Sequence, residues 1–398
     1  MGVEIGRTPC WSLLLGCVAL AVTAASTASE DSGGTIITVA GTPSIRGSDG
    51  DGDAATRAHL DYPFDMVVAG DGALYVADTY NHRIRQVDPV TGNISTLAGQ
   101  GVAGFSGDDG PADQARLNFP HGLALDPTER HLYLADTSNH RVRMIDLDLG
   151  TIHTVAGSGA KGLEPNGDGG PAPEASLEYP FDIAFGPDGA LFIADTYRHR
   201  IRQVDLESSI IRTVVGTGAA GYGGDGGTGI HASVRYPYAI AVGLDGEVYV
   251  ADSGNNRVRR WSPSTGLITT VAGRGPEAPF TPAVGAAIGG LTPWPGTLVG
   301  DGQPAGSAFL AEPSGVAVDA QGRVLIADTK NLRVRRIEID GTITTIAGSG
   351  QAGHSGDGGA ASEAAVHAPY GLSVDRQTGD LLIAQTGSHV IRRVRAPF

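Results

Sequence analysis

Two aspartates and one histidine stand out as residues that could do chemistry, because they hold comparable places in a repeated pattern. Asp65 and Asp182 each lie two residues after a proline, and His121 directly follows another proline. Carboxylates and imidazoles bind divalent metal ions when a fold brings them together. The competing interpretation, which we favour, is that the aspartates cap loop N–H groups and that His121 is a rim residue. The choice between the two depends on the elements that hold these residues.

A second group of polar residues recurs in the segment Ala-Asp-Thr-x-Asn-His-Arg. An Asp, a His and an Arg in one turn are residue types that catalysis uses, but an active site requires the repeats to differ. The sequence therefore predicts that these residues lock turns or join neighbouring repeats. The histidines are His82, His140, His199 and His389, and the arginines are Arg83, Arg141, Arg200, Arg257 and Arg333.

A glycine–aspartate cluster precedes each repeat, as in residues 107–110. Aspartates in glycine-rich loops can bind calcium, and they can also hold turns by accepting backbone N–H groups. Six copies that lack the spacing of an EF-hand favour the structural role. Calcium or another divalent cation stays open as a ligand, and the sequence otherwise indicates no cofactor.

Composition and charge exclude several classes of function. The formal net charge of −15 opposes binding to nucleic acid or to an anionic membrane surface. The sequence contains no phosphate-binding lysine loop, no Gly-x-Ser-x-Gly turn and no paired-cysteine zinc motif. Both cysteines, Cys10 and Cys17, lie in an N-terminal segment that we expect to be removed. We therefore expect no thiol chemistry in the mature protein.

The N-terminal segment has the pattern of a signal peptide. Residues 11–22 are apolar and are followed by a run of small residues. We predict a signal peptide over residues 1–28, and hence a secreted protein, or a periplasmic one if the source is bacterial. The apolar run is short for a bilayer span, so no transmembrane anchor is expected. A lipoprotein signal ending at Cys17 is the less favoured alternative.

Internal repetition determines the fold class. Three markers each occur six times: an Asp-Thr motif, a glycine that closes a strand-like segment, and a proline before an apolar segment. The motif positions are Asp78, Asp136, Asp195, Asp252, Asp328 and the variant Gln385. The glycines are Gly41, Gly99, Gly157, Gly216, Gly273 and Gly348. The prolines are Pro63, Pro120, Pro180, Pro237, Pro313 and Pro369.

Each repeat contains four short segments with strand character. In the first complete repeat these are residues 64–69, 73–77, 83–87 and 94–98. The third segment alternates polar and apolar residues, which predicts a half-exposed strand. Four antiparallel strands joined by short turns form one propeller blade.

The two ends of the chain indicate how the propeller closes. The last repeat lacks a fourth strand, and residues 36–41 supply a spare one ahead of the first complete repeat. We therefore predict an all-β, six-bladed β-propeller, a single domain over residues 33–398, with the N-terminal strand completing the last blade. The long loops before the blades should each contain a short helical turn, since proline suits the first position of a helix.

The repeated segment resembles the NHL repeat, because Ala-Asp-Thr-x-Asn-His-Arg-(Ile/Val)-Arg is followed by Thr-Val-Ala-Gly. The Gly-Asp-Gly-Gly-Pro-Ala insertions resemble the NHL region of teneurins and of bacterial secreted NHL-repeat proteins. The resemblance covers nearly the whole predicted mature chain and implies the same six-bladed propeller. It implies no single activity, because such propellers include interaction platforms, sensor domains and some enzymes.

Function is expected where the repeats differ. The first strand of each blade should line a central channel, with the residues after each proline at the face that bears the long loops. An apolar, proline-rich insertion over residues 275–299 precedes blade 5 and could cover this channel. The predicted channel-mouth site consists of Asp65, His121, Asp182, Tyr238, Tyr370 and, from the insertion, Trp294. The metal-ligand candidates are Asp65, His121 and Asp182.

These features predict a non-catalytic, monomeric propeller whose long-loop face binds a protein, a glycan or a small molecule. The alternative that the resemblance suggests is a metal-dependent hydrolase or lyase with an axial site, gluconolactonase-like or amidating-lyase-like. RNA binding, as in some NHL proteins, conflicts with the acidic charge and the signal peptide. Asn93 begins an Asn-Ile-Ser sequence and is a candidate for N-glycosylation in a eukaryotic source.

Overall fold

A computed structural model of the chain describes residues 1–2, 34–162, 166–275 and 300–396. Six antiparallel sheets in this part of the chain form the blades of a propeller, which confirms the predicted fold. The predicted signal peptide and the insertion with Trp294 lie outside the described residues, apart from residues 1–2 and 275.

In blades 1 to 5 the four main strands follow one another in the sheet in chain order. Blade 1 contains Pro63–Val68, Leu74–Asp78, Arg83–Val87 and Ile94–Ala98. Blade 2 contains Pro120–Leu125, His131–Asp136, Arg141–Asp146 and Thr151–Ala156, with the short strand Gly110–Pro111 at its outer edge. Blade 3 contains Pro180–Phe185, Leu191–Asp195, Arg200–Asp205 and Ile210–Val215. Blade 4 contains Pro237–Val242, Val248–Asp252, Arg257–Trp261 and Ile268–Ala272. Blade 5 contains Pro313–Val318, Val324–Asp328, Arg333–Ile337 and Ile343–Ala347.

Blade 6 is built from both ends of the chain. It contains Pro369–Val374, Leu381–Gln385 and Val390–Val394, and its outer strand is Ile36–Ala40. The outer strand pairs antiparallel with the third, with Ile36 opposite Val394, and the side chains of Ile36 and Ala40 are fully buried. The predicted closure by the N-terminal strand is therefore confirmed, and this blade has no unpaired third strand.

The remaining regular structure consists of 3-10 helices of three residues each. Six lie in the long loops between blades: Ala55–Arg57, Ala112–Gln114, Ala172–Glu174, Gly229–His231, Ala305–Ser307 and Ala361–Glu363. Six more follow the second strands: Thr79–Asn81, Thr137–Asn139, Thr196–Arg198, Ser253–Asn255, Thr329–Asn331 and Thr386–Ser388. None of the helices in the described ranges has the length and apolarity of a membrane span.

Hydroxyl groups of the Asp-Thr motif join each blade to the next. Thr79 Oγ1 donates a hydrogen bond to the carbonyl oxygen of Pro120 at 2.6 Å, and its equivalents repeat the bond around the ring. The other pairs are Thr137–Pro180, Thr196–Pro237, Ser253–Pro313, Thr329–Pro369 and Thr386–Pro63. These bonds fix the first strand of each blade, and therefore the channel wall, to the preceding blade.

The motif histidines also join neighbouring blades, and they end their turns in the left-handed conformation. His82, with a φ of 53°, accepts the backbone N–H of Phe119 on Nδ1 at 3.1 Å. His140, His199 and His389 accept the N–H groups of Tyr179, Tyr236 and Tyr62 in the same way. In blade 4, Asn256 Oδ1 accepts the N–H of Glu312 instead. The histidines thus serve as turn locks and contacts between blades.

Because the motif histidines accept hydrogen bonds as neutral imidazoles, we predict that acid destabilises the folded protein. Asparagine in place of these histidines should reduce that effect. Burial first, and nearby cations second, lower the pKa of His140, His199 and His389 to about 4 from 6.5. Below pH 6.5 the unfolded chain therefore binds more protons, so stability falls as the pH drops from 6.5 towards 4. Near pH 5 these three imidazoles should take up protons when the chain unfolds. We expect the triple variant His140→Asn/His199→Asn/His389→Asn to take up as many as about three fewer protons on unfolding.

Denaturant unfolding at several pH values would measure this difference in proton uptake. Asn256 occupies the equivalent position in blade 4, so the fold accepts asparagine there. Asparagine tolerates the left-handed conformation and keeps an acceptor that does not titrate. The variant should show a flatter stability profile between pH 6.5 and 4. An unchanged slope in the variant would refute the role of these imidazoles as neutral acceptors.

A buried arginine lies at the centre of each blade, which corrects the expectation of a half-exposed third strand. Arg85 Nη2 lies 2.6 Å from Asp51 Oδ1 of the preceding glycine–aspartate loop, and Arg85 Nη1 lies 3.2 Å from Asp78 Oδ2. Its side chain has no exposed surface because the loop folds over the strand and supplies the carboxylate. Its equivalents in the other blades are Arg143, Arg202, Arg259, Arg335 and Arg392, all with 1% or less of their surface exposed.

Five blades contain the full aspartate–arginine–aspartate set, and blade 6 departs from it. Arg392 lies 2.5 Å from Asp357 of its loop, but Gln385 replaces the second aspartate. Gln385 is fully buried, and neither its Nε2 nor its Oε1 has a hydrogen-bond partner among the described residues. The loop aspartates thus bind arginines within the blades, which supports the structural interpretation of the glycine–aspartate clusters.

Candidate binding site

The inner strands of the six blades surround a central channel of about 750 Å³. One end lies at the face where these strands begin, which we call the long-loop face. The other end reaches the hairpins that join the first and second strands, and we call this the hairpin face. There the channel passes the exposed side chains of Glu129, Leu244 and Gln321. Most of the wall between the two ends consists of valine, alanine, leucine and isoleucine.

An aromatic tier lines the channel at its long-loop end. It consists of the residues that directly follow the six prolines: Phe64, His121, Phe181, Tyr238, Ser314 and Tyr370. The rings of Tyr370, Phe64, His121, Phe181 and Tyr238 contact one another in this order, with centroids 4.4 to 4.9 Å apart. All six side chains are more than nine-tenths buried. The predicted site residues Tyr238 and Tyr370 therefore lie inside the channel end.

A carboxylate tier lies one residue further into the channel. Its members are Asp65, Gly122, Asp182, Ala239, Gly315 and Gly371. Asp65 Oδ2 accepts the N–H of Leu123 in blade 2, and Asp182 Oδ2 accepts the N–H of Ile240 in blade 4, both at 2.8 Å. The aspartates thus bridge neighbouring inner strands and still retain accessible surface in the channel. The aspartates were predicted to cap loop N–H groups; they do accept backbone N–H groups, but these belong to inner strands and not to loops.

Two glycines make room for these carboxylates. A Cβ atom at Gly371 would collide with Asp65 Oδ1, and one at Gly122 would collide with Asp182 Oδ1. The two carboxyl groups can therefore extend into the gaps between blades only because the preceding blade has no side chain there. The remaining members of the carboxylate tier, Ala239 and Gly315, are also small.

Burial raises the pKa values of both carboxyl groups. Burial raises the pKa of Asp182 to about 7, against the bonds from the Ile240 and Ile183 N–H groups. Burial, followed by the nearby charge of Asp182, raises the pKa of Asp65 well above its usual range. No arginine or lysine in the described ranges forms an ion pair with either group. Neither carboxyl group therefore has a cationic partner within the described residues, and each gains an unpaired negative charge when it ionises.

His121 is held as a neutral imidazole in the aromatic tier, between the rings of Phe64 and Phe181. Its Nδ1 lies 2.9 Å from the carbonyl oxygen of Phe119, so Nδ1 carries the proton and donates it. Burial lowers the pKa of His121 to about 4. Within the described residues, Asp65, His121 and Asp182 do not assemble into a group of three metal ligands. The structure therefore brings the predicted residues into adjacent tiers without a metal-binding arrangement.

A second set of aromatic side chains lies on the long-loop face at blades 1 to 4, and the sequence interpretation missed it. Tyr62, Tyr80 and Phe119 form one trio, with centroids 4.8 and 4.9 Å apart. Tyr179, Tyr197 and Tyr236 form a second trio, with centroids 5.0 and 5.2 Å apart. All six are half-exposed. We call these two trios the aromatic rim.

The motif histidines position the aromatic rim. Tyr179 has a φ of 49°, its N–H bonds to His140, and its ring meets that imidazole edge-on at 4.5 Å. Bulky side chains seldom occur with positive φ, and such strain persists only where neighbouring contacts hold it. The signal available in the sequence was the aromatic residue immediately before the proline in blades 1 to 4, in Tyr62, Phe119, Tyr179 and Tyr236.

Asn93 lies in the turn between the third and fourth strands of blade 1, as predicted, and is half-exposed. The turn is closed by a hydrogen bond from the Asp88 N–H to the Asn93 carbonyl oxygen. The side chain is therefore accessible in a short surface turn, and its glycosylation stays a prediction.

The closed ring of four-stranded blades around an axial channel defines a six-bladed β-propeller, and family comparison identifies its repeat. The NHL repeat model matches residues 60–87, 117–143 and 235–261, and the teneurin NHL domain model matches residues 283–353. The chain is therefore an NHL-repeat propeller similar to the NHL region of teneurins.

Known proteins are similar to this chain in sequence, and solved structures are similar to it in fold. Protein SUPPRESSOR OF QUENCHING 1, chloroplastic, from Arabidopsis thaliana is 30% identical over 67% of this chain and 24% of its own length. NHL repeat-containing protein 2 from Gallus gallus is 28% identical over 85% of this chain and 47% of its own length. The chain thus spans less than half of either relative. An auxiliary nutrient binding protein from Bacteroides thetaiotaomicron has the same fold, with a TM-score of 0.60, 14% identity, and coverage of 90% of this chain and 75% of that one.

Proposed function

We propose that this protein is a secreted, non-catalytic propeller that binds a protein partner through its long-loop face. The observation that carries the proposal is the aromatic rim, in which six half-exposed rings from blades 1 to 4 lie on one face. Aromatic residues are enriched in the cores of protein interfaces, where they contribute most of the binding energy. Rings that are already held by neighbouring imidazoles lose little freedom on binding.

The distribution of polar groups supports binding rather than catalysis. The repeated aspartates, histidines and arginines bond to backbone groups or to each other within the propeller. Asp65 and Asp182 hold inner strands together. Secretion rests on the predicted signal peptide, and the teneurin similarity favours the same extracellular setting.

A capture experiment with a matched pair of variants tests the proposal. Tyr80→Ser/Tyr197→Ser removes the central ring of each trio, and Ser138 occupies the equivalent position in blade 2, so the fold tolerates serine there. Val90→Ser/Leu244→Ser is the control, because both side chains are exposed away from the long-loop face. The three proteins would be immobilised and exposed to extracellular material from the source organism, with quantification by mass spectrometry.

We expect a specific partner that the wild-type chain and the control capture equally, with at least about tenfold less captured by the rim variant. Equal capture by both variants, or a loss confined to the control, would contradict the proposed face. Turnover of lactone, ester or lyase substrates that Asp65→Asn/Asp182→Asn abolishes would instead favour the enzymatic alternative.

A further inference from the structure

We propose that the central channel binds an organic ammonium compound, with the cationic group beside Asp65 and Asp182 and next to the aromatic tier. This inference concerns the channel and does not rest on a protein partner at the aromatic rim. Three features carry it: uncompensated negative charge, space around that charge, and aromatic surface.

The charge of the channel selects a cation. The two carboxylates of the inner tier have accessible surface in the channel and form no ion pair with arginine or lysine in the described ranges. The channel wall contains six acidic side chains but only two arginines, Arg323 and Arg376. The whole chain carries a net charge of −15, so its field also favours the entry of cations.

The space beside the carboxylates suits a small organic molecule. The other members of their tier are Gly122, Ala239, Gly315 and Gly371, which leave the centre of the channel open at this level. The cavity continues from there to the hairpin face, and a volume of about 750 Å³ is typical of small-molecule sites. A ligand could enter from the hairpin face without displacing the aromatic tier.

The aromatic tier distinguishes an organic cation from a metal ion. Phe64, Phe181, Tyr238 and Tyr370 line the same end of the channel as the carboxylates. Aromatic rings attract alkylated ammonium groups, which need few hydrogen-bond acceptors. Calcium instead requires six to eight oxygen ligands, and the two carboxylates also accept backbone N–H groups. The inner channel thus has the composition of a site for a methylated or alkylated amine.

Isothermal titration calorimetry with choline tests this directly on the wild-type chain. The matched control ligand is 3,3-dimethyl-1-butanol, which has the shape of choline and no charge. We expect saturable choline binding with a dissociation constant of about 1 mM or lower, and at least about tenfold weaker binding of the alcohol. Absence of saturable choline binding, or equal binding of the two compounds, would overturn the proposal.

Variants locate the site. Asp65→Asn/Asp182→Asn removes the charge and leaves each side chain one oxygen, which can still accept the N–H of the neighbouring inner strand, Leu123 or Ile240. Choline affinity should therefore fall at least about tenfold. Phe181→Leu should weaken choline binding as well, whereas Asp148→Asn on the surface should leave it unchanged. Unchanged choline affinity in both Asp65→Asn/Asp182→Asn and Phe181→Leu, or tight calcium binding that excludes choline, would refute the assignment.

The pH dependence supplies a readout that a purely structural role would not produce. Choline keeps its charge throughout, whereas Asp182, with a pKa of about 7, gains negative charge between pH 6 and 8. His121 stays neutral in this range because its pKa is about 4, and burial raises the pKa of Tyr370. Choline affinity should therefore rise from pH 6 to pH 8 with release of a proton. An affinity that is flat over this range would contradict a cation held by these carboxylates.

Discussion

A chain that begins at Pro43, without the strand Ile36–Ala40, is expected to self-associate more than the complete chain and to melt about 10 °C lower. Loss of the buried Ile36 removes a core side chain between blades 5 and 6. It also leaves the Val390–Val394 strand with an unpaired edge, which is a template for association with other chains. Differential scanning calorimetry and sedimentation velocity would measure the two effects.

The control for this truncation is a chain that begins at residue 29, the start of the predicted mature protein, which keeps the closing strand. It should melt as the complete chain does. A synthetic peptide of residues 34–42 added to the shorter chain should restore both the melting temperature and the monomer. A monomer of unchanged stability without the strand would show that closure of blade 6 contributes little.

Asp195→Ala is expected to lower the free energy of unfolding by about 3–5 kcal/mol. The substitution leaves the fully buried guanidinium of Arg202 without the carboxylate that lies 3.2 Å from Nη1, although Asp168 still contacts Nη2. It also removes the acceptor of the Glu178 N–H. A buried charge that loses its partner cannot recover the loss by contact with water.

The surface pair Arg130–Asp148 is the matched control, because it joins the same types of side chain at 2.5 Å while both remain more than half exposed. Asp148→Ala should cost less than about 1 kcal/mol. Urea unfolding at pH 7.5 would compare the two variants. Similar costs for both substitutions would mean that burial of the six arginines does not govern blade stability.

The sequence predicted the architecture well because the repeat markers occupy positions that the fold reuses. The prolines begin the inner strands, the Asp-Thr motif ends the second strands, and the glycines follow the outer strands. The closing role of residues 36–41 followed from the missing fourth strand of the last repeat. Such regularities are visible in one sequence because each blade repeats the same local requirements.

The alternation of polar and apolar residues in the third strand did not predict the burial of Arg85 and its equivalents. A strand with alternating polar and apolar residues normally exposes its polar side to water. Here a loop more than 30 residues earlier supplies Asp51, so the partner that permits burial is distant in the sequence. Pairing each loop aspartate with an arginine at a constant separation would have revealed the relation.

The candidate site was predicted in part. Asp65, His121 and Asp182 do lie near one end of the channel, because inner strands begin there in every blade. The directions of the aspartate side chains depend on gaps that Gly122 and Gly371 provide in neighbouring blades. The sequence of a single repeat does not show which residue of the neighbouring blade faces it. The aromatic rim was not predicted, because Tyr62 and its equivalents precede the prolines and the predicted site used residues that follow them.

Hydrogen–deuterium exchange of the complete chain, with and without the partner that it captures, tests the central claim most directly. Binding through the long-loop face should slow exchange in the segments around residues 60–62, 117–119, 177–179 and 234–236, which contain the rim residues that precede the prolines. The hairpins at residues 69–73 and 243–247 should exchange as in the free chain. Protection confined to those hairpins, or to the outer strands, would contradict the account.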